Sequence, residues 1–402
     1  MDATIRTETV PSHVEESSGS VQQFAPSSGA IATTRSGLEA LNTMCPYYTM
    51  FPLDFPLRHL EALPPGSWVY DPFCGRGTTA LAARMLGQPS VSADVSPVAV
   101  MITRAKLASA SPGQILELAE TLLREVPSTA PPDGPFWQIA YHPDTLGNLW
   151  RLRQGLLHRP GDAAAALRGI VLGALHGPIR RTKDSYFSNQ MPRTFAPKPN
   201  YAVRFWTAHG LKPRCVDVLG VISERAHRYY SHNAGPACGE AQLADARQSI
   251  VNGRVFAATI TSPPYFGMNT YVPDQWLRHW FVGGPSTLDY AKGCQLAQGT
   301  LGTFIDGLAA VWATVGRQSR PGAMLVVRFG SLPSRPIDPR VVITASLERS
   351  EVPWAIEAVE DAGRADHGQR QAAQMGNPSR QPAREEIDVV CRRLPNGGPV
   401  HA

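Results

Sequence analysis

Residues 64–100, PPGSWVYDPFCGRGTTALAARMLGQPSVSADVSPVAV, leave a chain few ways to fold. A short apolar run, Trp68-Val69-Tyr70, leads to Asp71 and then to two glycines, Gly75 and Gly77. A helix-forming stretch from Thr78 to Leu86 stops at Gly87, and Val91 to Val95 is a second apolar run. Strand-length runs on either side of a helical stretch, punctuated by Gly and Pro, predict the βαβ unit of a parallel sheet. In the G-x-G-x-x-A pattern the glycines let the backbone turn sharply and come close to a ligand. The N–H groups of Thr78 and Thr79 at the helix start present positive partial charge. Asp94 ends the second strand 17 residues after Gly77, where a carboxylate can accept both hydroxyls of a ribose; without a ligand it would simply cap SPVAV. Together these residues predict a nucleoside-containing cofactor. The phosphate-loop pattern is not met, since no lysine follows Gly77, and a nicotinamide-binding domain stays open on this segment alone.

Strand and helix signals resume late in the chain, with AQLADAR (241–247), RVFAATI (254–260), the helical LGTFIDGLAAVWATVGRQ and the apolar AMLVVRFG (323–330). The Ala- and Leu-rich stretch between them is mostly helical in pattern. One α/β sheet interrupted by a helical insertion explains this order better than two unrelated domains. Residues 1–35, rich in Ser, Thr, Gln, Glu and Pro, fit a disordered tail. That leaves 36–106 and 240–395 for the sheet domain and 107–239 for the insertion. The six cysteines form no CxxC pair and have no histidine at zinc-ligand spacing, so reduced thiols and no metal site are expected. No run approaches the roughly 20 apolar residues of a membrane span, and the start of the chain lacks a basic-then-apolar signal. A soluble cytoplasmic protein without a membrane role is expected.

TSPPY, residues 261–265, follows the apolar run Val255–Ile260. Pro263 and Pro264 fix φ and lack an N–H, so a stiff turn at a strand's carboxyl end can hold a carbonyl and the Ser262 hydroxyl as paired acceptors, with the Tyr265 ring beside them. Such a clamp suits a planar, amine-bearing ring: the acceptors take the amine hydrogens and the aromatic face stacks on a base lifted out of its helix.

The pair DPFCGRGTT and TSPPY resembles the two signature motifs of the S-adenosylmethionine-dependent amino methyltransferases of DNA, which methylate the exocyclic amine of cytosine or adenine. MFPLDFPLRHL (50–60), GRADHGQRQAAQMG and EEID are similar to further stretches of that family, so the resemblance covers roughly 43–106 and 240–392. It implies an α/β fold, a Rossmann-like seven-stranded methyltransferase sheet, with S-adenosylmethionine as cofactor. Carried residue by residue, it implies that Asp71, Phe73, Gly75, Gly77 and Thr78 surround the methionine part and that Asp94 takes the ribose. Asp245 would lie near the adenine amino group and Phe51 in the pocket wall. Ser262, Pro263, Pro264 and Tyr265 would hold the target base. Asp245 reads equally well as a solvated strand-end acid. The Ser form of the second motif is the one most associated with cytosine-N4 methylation, while adenine enzymes more often carry Asp or Asn. Direct transfer needs no covalent intermediate, so Cys74 reads as a packing residue of the turn.

Between His176 and Tyr230 the chain has ten Lys or Arg against three acids, a formal +7, more than the +5 of the whole chain. Interleaved Tyr186, Phe187, Phe195, Tyr201, Phe205 and Trp206 make this window a candidate duplex-DNA surface, with Arg180, Arg181, Lys183 and Arg193 as its leading cations. The bland reading is a solvated basic face over a local aromatic core. Tyr271 and Arg278, just after the proline turn, are further candidates for the DNA channel and read equally well as packing of the next helix. The expected activity is therefore cytosine-N4 methylation of a specific duplex sequence, with adenine-N6 methylation, RNA base methylation and a non-catalytic DNA-binding protein as successive alternatives. No nuclease constellation is present, so any restriction endonuclease would be a separate partner.

Overall fold

Seven strands form one sheet in the order β3-β2-β1-β4-β5-β7-β6: β1 (Val69–Asp71), β2 (Ser90–Asp94), β3 (Gly239–Leu243), β4 (Phe256–Thr261), β5 (Ser319–Gly330), β6 (Trp354–Arg364) and β7 (Glu385–Arg393). Strands β3, β2, β1, β4 and β5 run parallel, and β7 lies antiparallel between β5 and β6. This is the α/β, Rossmann-like seven-stranded sheet that the resemblance implies. The computed structural model describes residues 37–47, 51–127, 129–178, 185–192, 197–232, 238–248, 251, 253–268, 271–288, 299–332, 335–364 and 385–395; the tail expected over 1–35 lies outside them.

The helices are α1 (Asp54–Leu60), α2 (Thr78–Met85), α3 (Pro97–Leu107), α4 (Pro112–Glu125), α5 (Pro135–Ala140), α6 (Pro143–Leu156), α7 (Asp162–Ala174), α8 (Pro199–Ala208), α9 (Val218–Tyr230), α10 (Tyr271–Phe281), α11 (Leu301–Arg317) and α12 (Pro339–Glu348). Proline opens many of them, where its missing N–H costs nothing and its fixed φ is already helical. Ser96 caps α3 by accepting from Ala99 N, and Ser111 forms a reciprocal capping box with Gln114 on α4.

Helices α4 to α9 make up the insertion. They share one continuous apolar core with α2, α3 and one face of the sheet: Leu149, Ile170, Trp206 and Ile222 belong to the same cluster as Leu81, Ile102 and Ile260. Helix α10 joins that cluster through Trp276, Leu277 and Trp280. The opposite face is covered by α11 and α12, with Leu308, Trp312 and Ile343 against Phe256, Leu325 and Val327. A strand read as 241–247 is observed as β3, which ends at Leu243. After the bond from Ala244 N to Asp94 O, Asp245 accepts from Arg247 N and Gln248 N and turns the chain out of the sheet. Among the described residues no helix is long and apolar enough to cross a membrane.

Candidate active site at the carboxyl edge of the sheet

Strands β1, β2 and β4 end side by side, and the turn after each contributes to one site. After β1 the chain reverses through Cys74, whose N–H donates to Ala93 O of β2, and Gly77, whose N–H donates to Cys74 O. Gly75 (φ +49) and Gly77 (φ +71) both adopt the left-handed region. A Cβ on Gly77 would stand 2.6 Å from Thr103 Oγ1, so α2 can approach α3 only with glycine here. Helix α2 starts at Thr78 with no side-chain cap, which leaves its first N–H groups to a ligand.

Asp71 is buried at the centre. Its Oδ1 accepts from Phe73 N (3.1 Å) and Thr261 Oγ1 (2.7 Å), while Oδ2 has no partner. Burial pushes its carboxyl up to about 6, against hydrogen bonds from Thr261 and Phe73 N that pull it down, while Thr79 Oγ1 donates to Ile260 O. Asp94, half-buried, accepts from Gly75 N (2.9 Å) on one oxygen and Ser96 N (2.8 Å) on the other. Burial raises it too, to about 6, with these backbone N–H groups lowering it. Two of the roughly four lone-pair sites of its carboxylate are used, so two hydroxyls can still be accepted. A buried carboxylate oxygen without a partner, two glycines that admit close approach and an aspartate with spare acceptor capacity fit a cationic, ribose-bearing cofactor.

The proline turn leaves β4 beside this group. Thr261 Oγ1 donates to Asp71 although the two residues are 190 positions apart in sequence. Pro263 is buried, Ser262 and Pro264 are half-buried, and among the described residues no hydrogen bond engages the Ser262 hydroxyl or the Pro263 carbonyl. Tyr265 departs from the expectation of an open stacking face. It is 8% exposed, its ring meets Phe329 edge-on at 5.5 Å, and its hydroxyl donates to Glu386 on β7. A Cβ on Gly330 would lie 3.1 Å from the Tyr265 ring, so β5 too is shaped to this side chain. Tyr265 anchors the turn to the core.

Other expected residues sit differently from their readings. Phe51 packs in the core against Phe55, and the residue from this segment nearest the glycine turn is Tyr47, 3.8 Å from a notional Cβ on Gly75. Phe73 is half-buried at the edge of the α11–α12 core. Asp245 follows β3 next to Asp94, but Arg247 grips its carboxylate and holds it below the ordinary range. Arg278 is a correction: it is 4% exposed and donates to Leu172 O, Pro46 O and Gln275, bracing α10 against α7 instead of facing nucleic acid. Tyr186, Phe187 and Trp206 of the basic window are likewise core residues, with Tyr201 exposed. Arg180, Arg181, Lys183, Arg193 and Phe195 lie outside the described residues, as does the side chain of Tyr271. Cys74 is buried, accepts from Thr103 and has its thiol pushed well up by burial, which leaves it protonated and unreactive. Thr261 could be found from the sequence as the hydroxyl preceding SPPY. Tyr47, Thr103 and Glu386 reach the site only through tertiary packing.

Residues 24–104 match the family model described as DNA methylase, a span that contains the glycine turn and stops before the proline turn. A comparison with curated proteins gives no match. Solved structures that are similar include TrmN from Thermus thermophilus (9% identity, TM-score 0.33), covering 85% of this chain and 48% of that one. The rRNA methyltransferase aviRa from Streptomyces viridochromogenes shares 13% identity at a TM-score of 0.33, covering 86% of this chain and 87% of that one. A geranyl diphosphate methyltransferase in complex with SAM shares 10% at 0.34, covering 85% and 84%. The chain spans about half the length of the first of these. At such scores they carry nothing on substrate, and the fold rests on the strand order itself.

Proposed function

We propose that this chain, a methyltransferase by its sheet and S-adenosylmethionine-dependent by its cofactor site, transfers a methyl group to the N4 amine of cytosine in duplex DNA. The observation that carries the reading is the 2.7 Å hydrogen bond from Thr261 to Asp71, which sets a turn suited to a planar amine against a turn suited to the cofactor. The family-model match to DNA methylases over the glycine turn supports the same class.

The cofactor supplies an electrophilic methyl group on a sulfonium. Asp71, through its unpartnered oxygen, would hold the ammonium of the methionine part; Gly75 and Gly77 let the backbone close around it, and Asp94 accepts the ribose hydroxyls. The amine of a nucleobase is a poor nucleophile because its lone pair is delocalised into the ring. Ser262 Oγ and the Pro263 carbonyl, accepting the amine hydrogens, draw it toward tetrahedral geometry and stabilise the positive charge that develops as it attacks. Holding the amine in line with the methyl group supplies much of the remaining acceleration. Tyr265, fixed by Glu386, keeps the turn in the position this alignment needs. The target base is lifted out of the duplex, and the Ser form of the motif favours cytosine over adenine. The reaction belongs in the cytoplasm, and any cleavage of unmethylated DNA falls to a separate endonuclease.

The test is incubation of the protein with methyl-labelled S-adenosylmethionine and, in parallel, mixed-sequence duplex DNA and RNA, followed by digestion to nucleosides and mass spectrometry. Label in N4-methylcytosine from DNA is expected. Label in N6-methyladenine would overturn the base, and label in RNA alone would overturn the substrate.

A further inference from the structure

Far from the carboxyl edge, within the helical insertion, three side chains of metal-ligating type converge. His142 precedes α6, Asp144 lies in its first turn, and Cys215 comes from the segment that leads into α9. His142 Nδ1, an Asp144 carboxylate oxygen and Cys215 Sγ all lie within 4.8 Å of one another. His142 Nδ1 and Asp144 Oδ2 are 3.6 Å apart. Two ligands on one tetrahedral zinc ion, with bonds of about 2.0–2.3 Å, stand about 3.3–3.7 Å apart, so this pair already has the required spacing.

Two further observations point the same way. Asp144 N donates to His142 Nδ1 over a long 3.3 Å, so the imidazole carries its lone pair on Nδ1 and its proton on Nε2, the tautomer a metal at Nδ1 needs. Next to the cluster, Val216 N donates to Thr145 Oγ1 (3.0 Å), and Thr145 Oγ1 donates back to Val216 O at 3.5 Å. Both residues are buried, so the backbone bearing Cys215 is pinned beside the start of α6, while the three ligands themselves face solvent and an ion can reach them.

We propose that His142, Asp144 and Cys215 bind one divalent ion of the zinc class, with water in the fourth position. Imidazole and thiolate together select zinc or its relatives over calcium and magnesium, which take oxygen ligands. On binding, the Cys215 thiol releases its proton to solvent and its sulfur forms the new bond to the ion, while the weak N–H contact of Asp144 to His142 gives way. The ion would cross-link two segments 71 residues apart and stiffen the insertion. The site is independent of the methyltransferase reading and was invisible to ligand spacing, because Cys215 lies far from the other two in sequence.

The test uses the full, untagged chain, stripped with a chelator and titrated with Co²⁺ as a spectroscopic probe. One equivalent should give a near-ultraviolet thiolate-to-cobalt band with the visible bands of a tetrahedral ion, both displaced by Zn²⁺. Cys215→Ser should abolish the thiolate band. Cys238→Ser, which removes the other exposed described thiol, should leave it intact. His142→Ala should weaken binding by roughly tenfold or more. Zn²⁺ should raise the melting temperature of the wild type and not of Cys215→Ser, whose melting temperature without metal serves as the folding control. Absence of a thiolate band at large excess of cobalt, its persistence in Cys215→Ser, or an equal zinc effect on both melting temperatures would overturn the site.

Discussion

At the carboxyl edge of the sheet, Asp71 is 1% exposed and accepts from Thr261 and Phe73 N; on α10, packed against the insertion, Arg278 is 4% exposed and donates to Leu172 O, Pro46 O and Gln275, and each side chain keeps one buried polar atom, Asp71 Oδ2 and Arg278 Nη2, without a partner. Both are buried charged groups, but only the first lies beside a turn whose glycines, Gly75 and Gly77, have positive φ. The same contrast separates aromatic rings. Phe136, Trp137, Trp206, Trp276 and Trp280 pack on one another at centroid distances such as 4.5 Å for Trp137–Trp280, and hold the insertion to α10. Charge and aromaticity in a helical segment therefore describe its core as readily as a nucleic-acid surface. Positive φ at Gly75 and Gly77 describes a tight turn, and at Gly77 also the close approach of α2 to α3 at Thr103.

The comparison breaks most visibly at Gly77. Gly77→Ala forces a non-glycine residue to φ +71 and drives a Cβ into Thr103, so a loss of about 3–5 kcal/mol in unfolding free energy is expected, with cofactor binding lost; an unchanged denaturation midpoint would mean that the turn relaxes. Ser262→Ala should slow methyl transfer by about 10²–10³-fold in single-turnover assays while the fold is preserved, because it removes one acceptor from the developing positive charge. Arg278→Met sharpens the other side of the contrast. A stability loss of about 2–3 kcal/mol is expected by chemical denaturation, with the salt dependence of DNA binding unmoved; the reverse pattern would return Arg278 to the nucleic-acid surface.

The smallest effect is in pH. Asp71 and Asp94 both titrate near 6 in the folded protein because burial disfavours their charged forms. Cofactor affinity needs the carboxylates, so calorimetry should find it full well above pH 6, reduced at pH 6 and falling by about tenfold per pH unit for each required carboxylate well below that. Stability should move the opposite way. Both folded values exceed the unfolded ones, so the native state binds more protons between about pH 4 and 6 and becomes more stable as pH falls across that window. Parallel decline of both quantities would remove these two groups from the account.

The legible parts of the molecule are those set by local backbone chemistry. Gly75 and Gly77 permit the left-handed backbone, Pro263 and Pro264 fix φ, and the runs at 68–70, 91–95 and 254–260 read as strands of one sheet, so the sheet and its turns are legible in the sequence. The placement of Tyr265 was not, because its ring is claimed by Phe329 and Glu386, which reach it across β5 and β7. Nor was that of Asp245, whose carboxylate is taken by a neighbour two residues on. Whether a basic or aromatic side chain in α5 to α10 faces inward depends on helix packing, which composition does not encode. Trp206 and Arg278, residue types that suit a nucleic-acid surface and a core alike, both lie in the core.

The most direct test of a divided site, cofactor on the glycine turn and amine on the proline turn, is the calorimetric affinity for S-adenosylmethionine of the wild type, Asp94→Ala and Ser262→Ala. Asp94→Ala should bind roughly tenfold or more weakly, the loss of hydrogen bonds to a charged acceptor, and Ser262→Ala should bind as the wild type does. Equal weakening in both variants, or an unchanged affinity in Asp94→Ala, would contradict it.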